Sequence, residues 1–499
     1  MKFLYNRKKI AKKNTITPKE YTMGRKIVVV GGGPGGYVAA LRAASLGADV
    51  VLVEKEHLGG TCLNWGCIPS KIMKNTAEML HKCRKAKEFG IHMDGAVLPD
   101  MAGLMARKDK ILDSQRTGIA GLLQGRKVHV EKGCGRITGR GTAEVTAADG
   151  TTTSLNWDKL IIATGTAPMN VPDFAFDGKK ILSSNDILVL DHIPESLTIV
   201  GGGVIGCEFA CIFAALGTKV TVVEAMSRLL PLPSVDASMS RLLLREMKKQ
   251  KITVFCDTVV TACDTSAKGC RISLSKSPFT DNPKAKDPKT DTLCSDLMAV
   301  CIGRTPLSSD LGLETIGLET PGPGWIPVND RMETGVENVY AIGDILGPSR
   351  VMLAHVASHE GLVAAGNAMG QADTMSYNAV PGAIFTMPEI GTVGMSEAEA
   401  LKSGLAVDTA SVNFRVLGKA HAIDEIAGEA KMVVEKDSGK ILGVHLIGAH
   451  ATDLIAEATL AVSKGLTAQD MAHTIHAHPT MAEIMGEVAS KAVGMPVHG

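Results

Sequence analysis

One pattern occurs twice in this chain: an apolar run, G-x-G-x-x-G, a helical stretch, and a second apolar run ending in glutamate. In the first copy Lys26-Ile27-Val28-Val29-Val30 leads into Gly31, Gly33 and Gly36, and a helix is predicted from Tyr37 to Leu46. The run Asp49-Val50-Val51-Leu52-Val53 then ends at Glu54, and Lys159 to Gly165 closes the unit. In the second copy Leu197-Thr198-Ile199-Val200 leads into Gly201, Gly203 and Gly206. A helix to Leu216 follows, and the run Lys219 to Val223 ends at Glu224. Strands apolar at every position are buried on both faces, as in parallel sheets flanked by helices. The glycines let the backbone approach a pyrophosphate at a helix N-terminus, where the helix dipole favours negative charge. An acidic strand end about twenty residues later is placed to accept a ribose hydroxyl. A lone fingerprint is weak. Two in full context predict an α/β chain with two Rossmann-like dinucleotide-binding domains. At 499 residues the chain is too long for one core and implies three or four domains.

Between the two copies lies Gly59-Gly60-Thr61-Cys62-Leu63-Asn64-Trp65-Gly66-Cys67-Ile68-Pro69-Ser70-Lys71. Residues i and i+5 of an ideal helix have α-carbons roughly 8–9 Å apart, whereas a disulfide tolerates at most about 7 Å. A redox disulfide at Cys62 and Cys67 therefore requires an irregular backbone, and Gly66 is placed to allow it. A thiol is a poor nucleophile at neutral pH unless a base assists it. The C-terminal His476-Ala477-His478-Pro479-Thr480 with Glu483 offers a base and a carboxylate to orient it.

With these motifs the chain closely resembles the two-cysteine flavoprotein disulfide reductases. The variant GGTCLNxGCIPSK is most similar to the dihydrolipoyl dehydrogenase branch, and the likeness spans residues 24–490. It implies FAD on the first unit and NAD on the second, with a C-terminal α+β dimerisation domain. The implied boundaries are 24–165 (FAD, first part), 166–297 (NAD), 298–370 (central, completing the FAD site) and 377–499 (dimer interface). FAD contacts would come from Gly31, Gly33, Gly36, Glu54, Lys71, Thr164, Gly165, Asp344, Leu353 and Ala354; NAD contacts from Gly201, Gly203, Gly206, Glu224 and Gly303. Asp344 would bond the ribityl chain, and the helix start at Met352-Leu353-Ala354-His355 would lie beneath the flavin, with His355 contributing its backbone. Glu224 would repel a 2′-phosphate, and Arg228 alone is not a phosphate pocket, so NAD is expected over NADP.

The same resemblance assigns the catalytic group as Cys62, Cys67, His478, Glu483, Lys71 and Glu208, with Lys71 paired to Glu208. Read alone, those two are ordinary helix charges. Cys62 would be the interchange sulfur and Cys67 the flavin-side sulfur. The implied reaction is NAD-dependent oxidation of dihydrolipoyl groups carried on a partner of a 2-oxo acid dehydrogenase or glycine cleavage complex, by a homodimer. A related disulfide reductase acting on another substrate is the alternative. The last cysteine is Cys301, so the C-terminal cysteine relay of mercuric reductases is missing. A non-catalytic scaffold is the reading from another class, and retention of all six catalytic positions argues against it. Trp65 stands where many relatives carry a smaller residue, and it is expected to narrow the disulfide pocket or stack near the flavin.

Charge excludes other classes. With 53 basic and 52 acidic residues, nothing points to nucleic acid or an anionic membrane. Eleven cysteines without framework spacing, and without C-x-x-C, fit a reducing compartment and no structural zinc. His476 and His478 lack a convincing third metal ligand. The basic segment 1–23 reads as a disordered leader or upstream start rather than a targeting peptide. The cytoplasm is expected, or a mitochondrial or plastid matrix if the chain is eukaryotic. The apolar run Ser196 to Gly217 could span a bilayer, but Glu208 and the fingerprint within it favour a buried strand–turn–helix. Residues 275–291 read as a polar surface insertion.

Overall fold

The computed structural model describes residues 24–499 apart from residue 267; the leader expected over 1–23 lies outside the described residues. The helices used below are α1 (Pro34–Ser45), α2 (Gly60–Trp65), α3 (Cys67–Arg84), α4 (Met101–Gly125), α5 (Val204–Leu216), α6 (Ala237–Lys249) and α7 (Ala354–Ala368).

Both glycine-punctuated units form five-stranded sheets that are parallel throughout. The first runs Val339–Ala341, Lys159–Ile162, Lys26–Val30, Asp49–Glu54, His129–Lys132. The second runs Thr253–Phe255, Lys219–Val223, Ser196–Val200, Leu297–Val300, Ile181–Leu182. Their central strands are buried, as continuous apolar runs require. The strand Leu297–Val300 pairs with Ser196–Val200, so the boundary expected at residue 297 cuts a strand, and the second sheet extends to Val300. The first unit recruits Val339–Ala341 from far along the chain.

Helix α1 starts at Pro34 rather than Tyr37. Proline fits the first helical position because the N–H it lacks would be unpaired there anyway. Gly35 and Gly36 are thereby helical and buried against neighbours. Gly31 has φ +105°, open to glycine, and a Cβ on Gly36 would lie 1.8 Å from the Gly31 carbonyl oxygen. Gly201 and Gly206 repeat this geometry at φ +105° and 1.9 Å. The run Ser196 to Gly217 is a strand, a turn and α5, and among the described residues no helix is long and apolar enough to cross a membrane.

Two antiparallel strands, Thr166–Pro168 and Arg304–Pro306, link the units. The C-terminal region has one antiparallel sheet, ordered Gly382–Ile384, Glu389–Gly394, Ile441–Gly448, Glu429–Glu435, Val407–Asn413, with helices packed on it. The polar insertion begins after Lys276, because Ser275 and Lys276 complete the strand Cys270–Lys276.

Candidate active site

Cys62 lies within α2, and Cys67 is the first residue of α3. The helix breaks at Gly66, where a Cβ would come within 3.1 Å of the Thr61 carbonyl oxygen. That break brings the two sulfurs into hydrogen-bond contact across the i, i+5 spacing. Cys67 accepts the bond from Cys62 and faces Lys71; together these outweigh burial and bring its pKa down to about 7. Cys62, as the donor in a buried setting, is pushed well up. The pair is thus polarised: the contact with Cys62 and the Lys71 charge favour the thiolate form at Cys67 over Cys62. Buried Asn64 braces the turn by donating to Gly60 O at 2.8 Å and accepting from Arg116 Nε of α4 at 2.7 Å. Trp65 ends α2 half-buried, and no ring contact to it is seen among the described residues.

Lys71 Nζ lies 2.8 and 3.0 Å from the two carboxylate oxygens of Glu208 on α5. The Phe385 backbone N–H donates to the same carboxylate at 2.9 Å, and the Phe385 ring sits 4.4 Å from Lys71 Nζ. Three distant segments therefore meet at one ammonium group. Glu208 is 7% exposed and Lys71 27%, so the carboxylate is shielded while the ammonium beside Cys67 stays partly solvated.

The first nucleotide turn is lined by backbone donors. Glu54 accepts from Gly32 N at 2.7 Å and Glu56 N at 2.8 Å, which aims the carboxylate at the turn with lone pairs to spare. Helix α1 has no side-chain cap at Gly33, and α7 has none at Leu353, so both N-termini offer N–H groups to an anion. Among the described residues the buried Thr164 hydroxyl has no partner, and Gly165 follows at φ +69°. Asp344 lies inside the short helix Gly343–Leu346, whose N-cap is Ile342. Burial raises the Asp344 carboxyl, opposed by Arg304 and by a 3.4 Å bond from Thr166 Oγ1. The His355 ring is turned to Pro381 O at 3.0 Å. A buried Thr164 hydroxyl, the uncapped N-termini of α1 and α7 and the buried Asp344 carboxylate suit a flavin dinucleotide, which these groups would hold.

The second turn repeats the arrangement. Glu224 accepts from Gly202 N at 2.5 Å and Met226 N at 2.7 Å, and burial pushes its carboxyl up. Gly203 leaves α5 without a side-chain cap, and Gly303, at φ +155°, follows the strand Leu297–Val300. Arg228 is committed to Leu230 O, Leu232 O and Ser240 Oγ at 2.6–2.9 Å, leaving it turned to its own loop.

His478 Nδ1 lies 2.8 Å from Glu483 Oε1, and Glu483 Oε2 accepts the Thr480 N–H at 2.7 Å. Burial pushes the Glu483 carboxyl up, but the bonds from Thr480 and His478 outweigh it, so it stays below the usual range. The His478 side chain is 76% exposed, and among the described residues of one chain no hydrogen bond joins it to either cysteine. His476 instead lies with its side chain 10% exposed and Nε2 3.0 Å from Glu457. One chain therefore assembles Cys62, Cys67, Lys71 and Glu208, and presents His478 with Glu483 outward.

Sequence reasoning missed three residues here. Arg304 grips Thr166 through Nε (2.6 Å to Oγ1) and Nη2 (2.8 Å to the carbonyl), facing Asp344 and Cys67. The signal available was its place beside Gly303, after a buried strand. Glu360, 1% exposed, accepts from Gly343 N and Tyr377 Oη at 2.7 Å each and so holds the Asp344 turn. Phe385 is the third. Neither of the latter two carries a local signal.

Residues 25–361 match the model of the pyridine nucleotide-disulphide oxidoreductases, and residues 380–489 match that family's dimerisation domain. The chain belongs to this oxidoreductase family. Its similarity to the dihydrolipoyl dehydrogenase of Haloferax volcanii is 37% identity over 95% of this chain and 98% of that one. That to the enzyme of Chlamydia muridarum is 39% over 94% and 97%, and to the mitochondrial enzyme of Pisum sativum 37% over 95% and 92%. Among solved structures, LpdA from Mycobacterium tuberculosis superposes with TM-score 0.85 at 26% identity, covering 94% of this chain and 99% of that chain. The disulfide reductase RclA from Escherichia coli, 23% identical with TM-score 0.81, shares the fold. The family's cofactors are FAD and NAD(H), and its dimerisation domain supports a homodimer.

Proposed function

We propose that the chain is an NAD-dependent dihydrolipoyl dehydrogenase, working as a homodimer on lipoyl groups borne by a partner protein of a 2-oxo acid dehydrogenase or glycine cleavage complex. The polarised Cys62–Cys67 pair beside Lys71 carries this reading. In the oxidised enzyme the two sulfurs are joined. The partner subunit's His478, oriented by Glu483, takes the proton from one substrate thiol. The resulting thiolate attacks Cys62 Sγ, the Cys62–Cys67 bond breaks, and Cys67 leaves as the thiolate that Lys71 stabilises. The second substrate thiol then displaces Cys62, releasing the cyclic disulfide and leaving the protein dithiol. FAD, when bound, carries the electron pair from that dithiol to NAD as a hydride. Gly31, Gly33, Gly36, Glu54, Thr164, Gly165, Asp344, Leu353 and Ala354 would hold FAD. Gly201, Gly203, Gly206, Glu224 and Gly303 would hold NAD, with the committed Arg228 favouring NAD over NADP.

Cys62→Ser and Cys67→Ser should each abolish lipoamide turnover while leaving flavin bound. The thiolate–flavin charge-transfer band should survive in Cys62→Ser and vanish in Cys67→Ser; the reverse would exchange the two roles. Exposure of His478 in one chain predicts complementation across the dimer. Co-expressed Cys62→Ser and His478→Ala chains should recover roughly a quarter of wild-type activity, since about half the dimers carry one intact site. No recovery despite verified heterodimers would place a complete site on each chain.

A further inference from the structure

A second pair of cysteines meets outside the site. The strand Thr258–Asp264 pairs antiparallel with Cys270–Lys276, Cys263 opposite Ile272 and Asp264 opposite Arg271. Residues two apart on a strand share a face, so Cys270 lies on the face of Ile272 and of Cys263. The two side chains are diagonal neighbours on that face, each sulfur facing the other, and Cys263 packs against the apolar cluster that contains Cys270. Cys270 is 2% exposed and also donates to Lys180 O at 3.5 Å; Cys263 is half-buried and reaches solvent.

The other buried thiols are unlike this pair. Cys207 and Cys211 are buried and Cys301 is half-buried, and burial pushes each thiol up. Cys263 instead accepts a hydrogen bond from Cys270, which brings its thiol down against burial and against Asp177 and Asp264, with Lys180 assisting. The sulfur that solvent can reach is thus the one whose thiol is lowered, while burial and the same contact raise its neighbour.

We propose that Cys263 and Cys270 form a second redox-active dithiol, which low-molecular-weight disulfides oxidise to a cross-strand disulfide. Cys263, its proton lost to solvent, attacks one sulfur of the small disulfide. That S–S bond breaks, and one small thiolate leaves and takes up a proton. Cys270 then gives its proton to solvent and attacks Cys263 Sγ. The mixed disulfide breaks, and a second small thiol departs. Two protein thiols are oxidised and one external disulfide is reduced to two thiols. Cys270 shares an apolar cluster with Val200, Val223 and Val300, the strand ends that precede Gly201, Glu224 and Gly303. The oxidisable pair thus adjoins the strands that carry the second nucleotide turn.

The test uses the flavin-loaded wild-type enzyme, equilibrated in glutathione buffers of increasing disulfide fraction, then alkylated and peptide-mapped. A peptide linking Cys263 to Cys270 should appear and be lost again on reduction, while both alkylated peptides disappear. Cys263→Ser should leave Cys270 fully alkylated, and Cys270→Ser should stop at a glutathione adduct on Cys263. Wild-type Cys263 and Cys270 remaining fully alkylated throughout would overturn the proposal. So would a stable Cys263 adduct that never closes. The map is read on wild-type protein, so the result does not depend on the variants folding or on turnover with lipoamide.

Discussion

At their turns the two nucleotide-binding units are close copies; on the backs of their first helices they diverge. Gly31 corresponds to Gly201, Gly36 to Gly206 and Glu54 to Glu224, with matching φ, matching close approaches and matching backbone bonds to the carboxylate. Helix α1 buries Gly35, Ala39, Ala40 and Ala43, because α7 lies so close that a Cβ on Gly361 would be 2.5 Å from Gly35 O. Helix α5 instead buries the bulky Phe209, Ile212 and Phe213 and packs against α3. Where α1 carries Val38, α5 carries Glu208, which reaches Lys71. The turn is set by cofactor backbone geometry, which both units share. The outer helix face is set by its neighbour, and there one unit supplies a charge to the redox centre built onto the other.

The largest test of this comparison is at the shared turn. Gly36→Val and Gly206→Val should each cost about 3 kcal/mol or more, since no rotamer relieves a backbone oxygen within 2 Å of the new Cβ. Gly36→Val should also lose flavin, whereas Gly206→Val should keep it and raise the KM for NAD at least tenfold. Flavin absorbance per chain and thermal unfolding separate these outcomes; equal flavin loss in both variants would mean the turns are not independent.

A smaller effect is expected at the diverged position. Glu208→Gln removes the charge facing a partly solvated Lys71 and weakens the bond from Phe385 N, and should cost about 2 kcal/mol in urea unfolding. Val38→Ala on α1 should cost about 1 kcal/mol or less. Equal costs would erase the distinction between the two helix faces.

The smallest effect sharpens the likeness of the two acidic strand ends. Glu224→Ala should narrow the preference for NAD over NADP severalfold, measured by kcat/KM for each. Burial raises the Glu224 carboxyl, so the folded protein binds its proton more readily than the unfolded chain. Its contribution to stability is therefore fully present below the usual carboxylate pKa and is lost as pH rises through the raised value. Denaturant midpoints across mild acid, wild type against Glu224→Gln, should differ with that sign; a difference growing toward neutral pH in favour of wild type would contradict it.

Much of this was legible locally. The apolar runs at 26–30 and 196–200, the glycines after them and the glutamates at 54 and 224 are constrained within about thirty residues of chain, and all take the expected strand–turn–helix form. The break at Gly66 was also readable, because the i, i+5 cysteine spacing conflicts with an ideal helix. The start of α1 at Pro34 was misjudged because glycine disfavours helix interiors, and here the close approach of α7 overrides that propensity. The boundary at residue 297 was misplaced because a short apolar strand declares its partner only through pairing. Glu360 and Phe385 gave no local sign, since each acts on a segment that only folding brings near: Gly343 for one, Lys71 and Glu208 for the other.

The sequence by itself determined the two nucleotide folds and the cysteine turn, because steric limits on the backbone and burial of continuous apolar runs act over short stretches of chain. The tertiary structure decided the pairing of Lys71 with Glu208 and Phe385, the grip of Arg304 on Thr166, and the outward placement of His478. It also decided which thiol of each pair is lowered, Cys67 beside Lys71 and Cys263 beside Cys270. Those outcomes depend on hydrogen-bond direction, nearby charge and exclusion of water, and each is set by groups that come together only when distant segments pack.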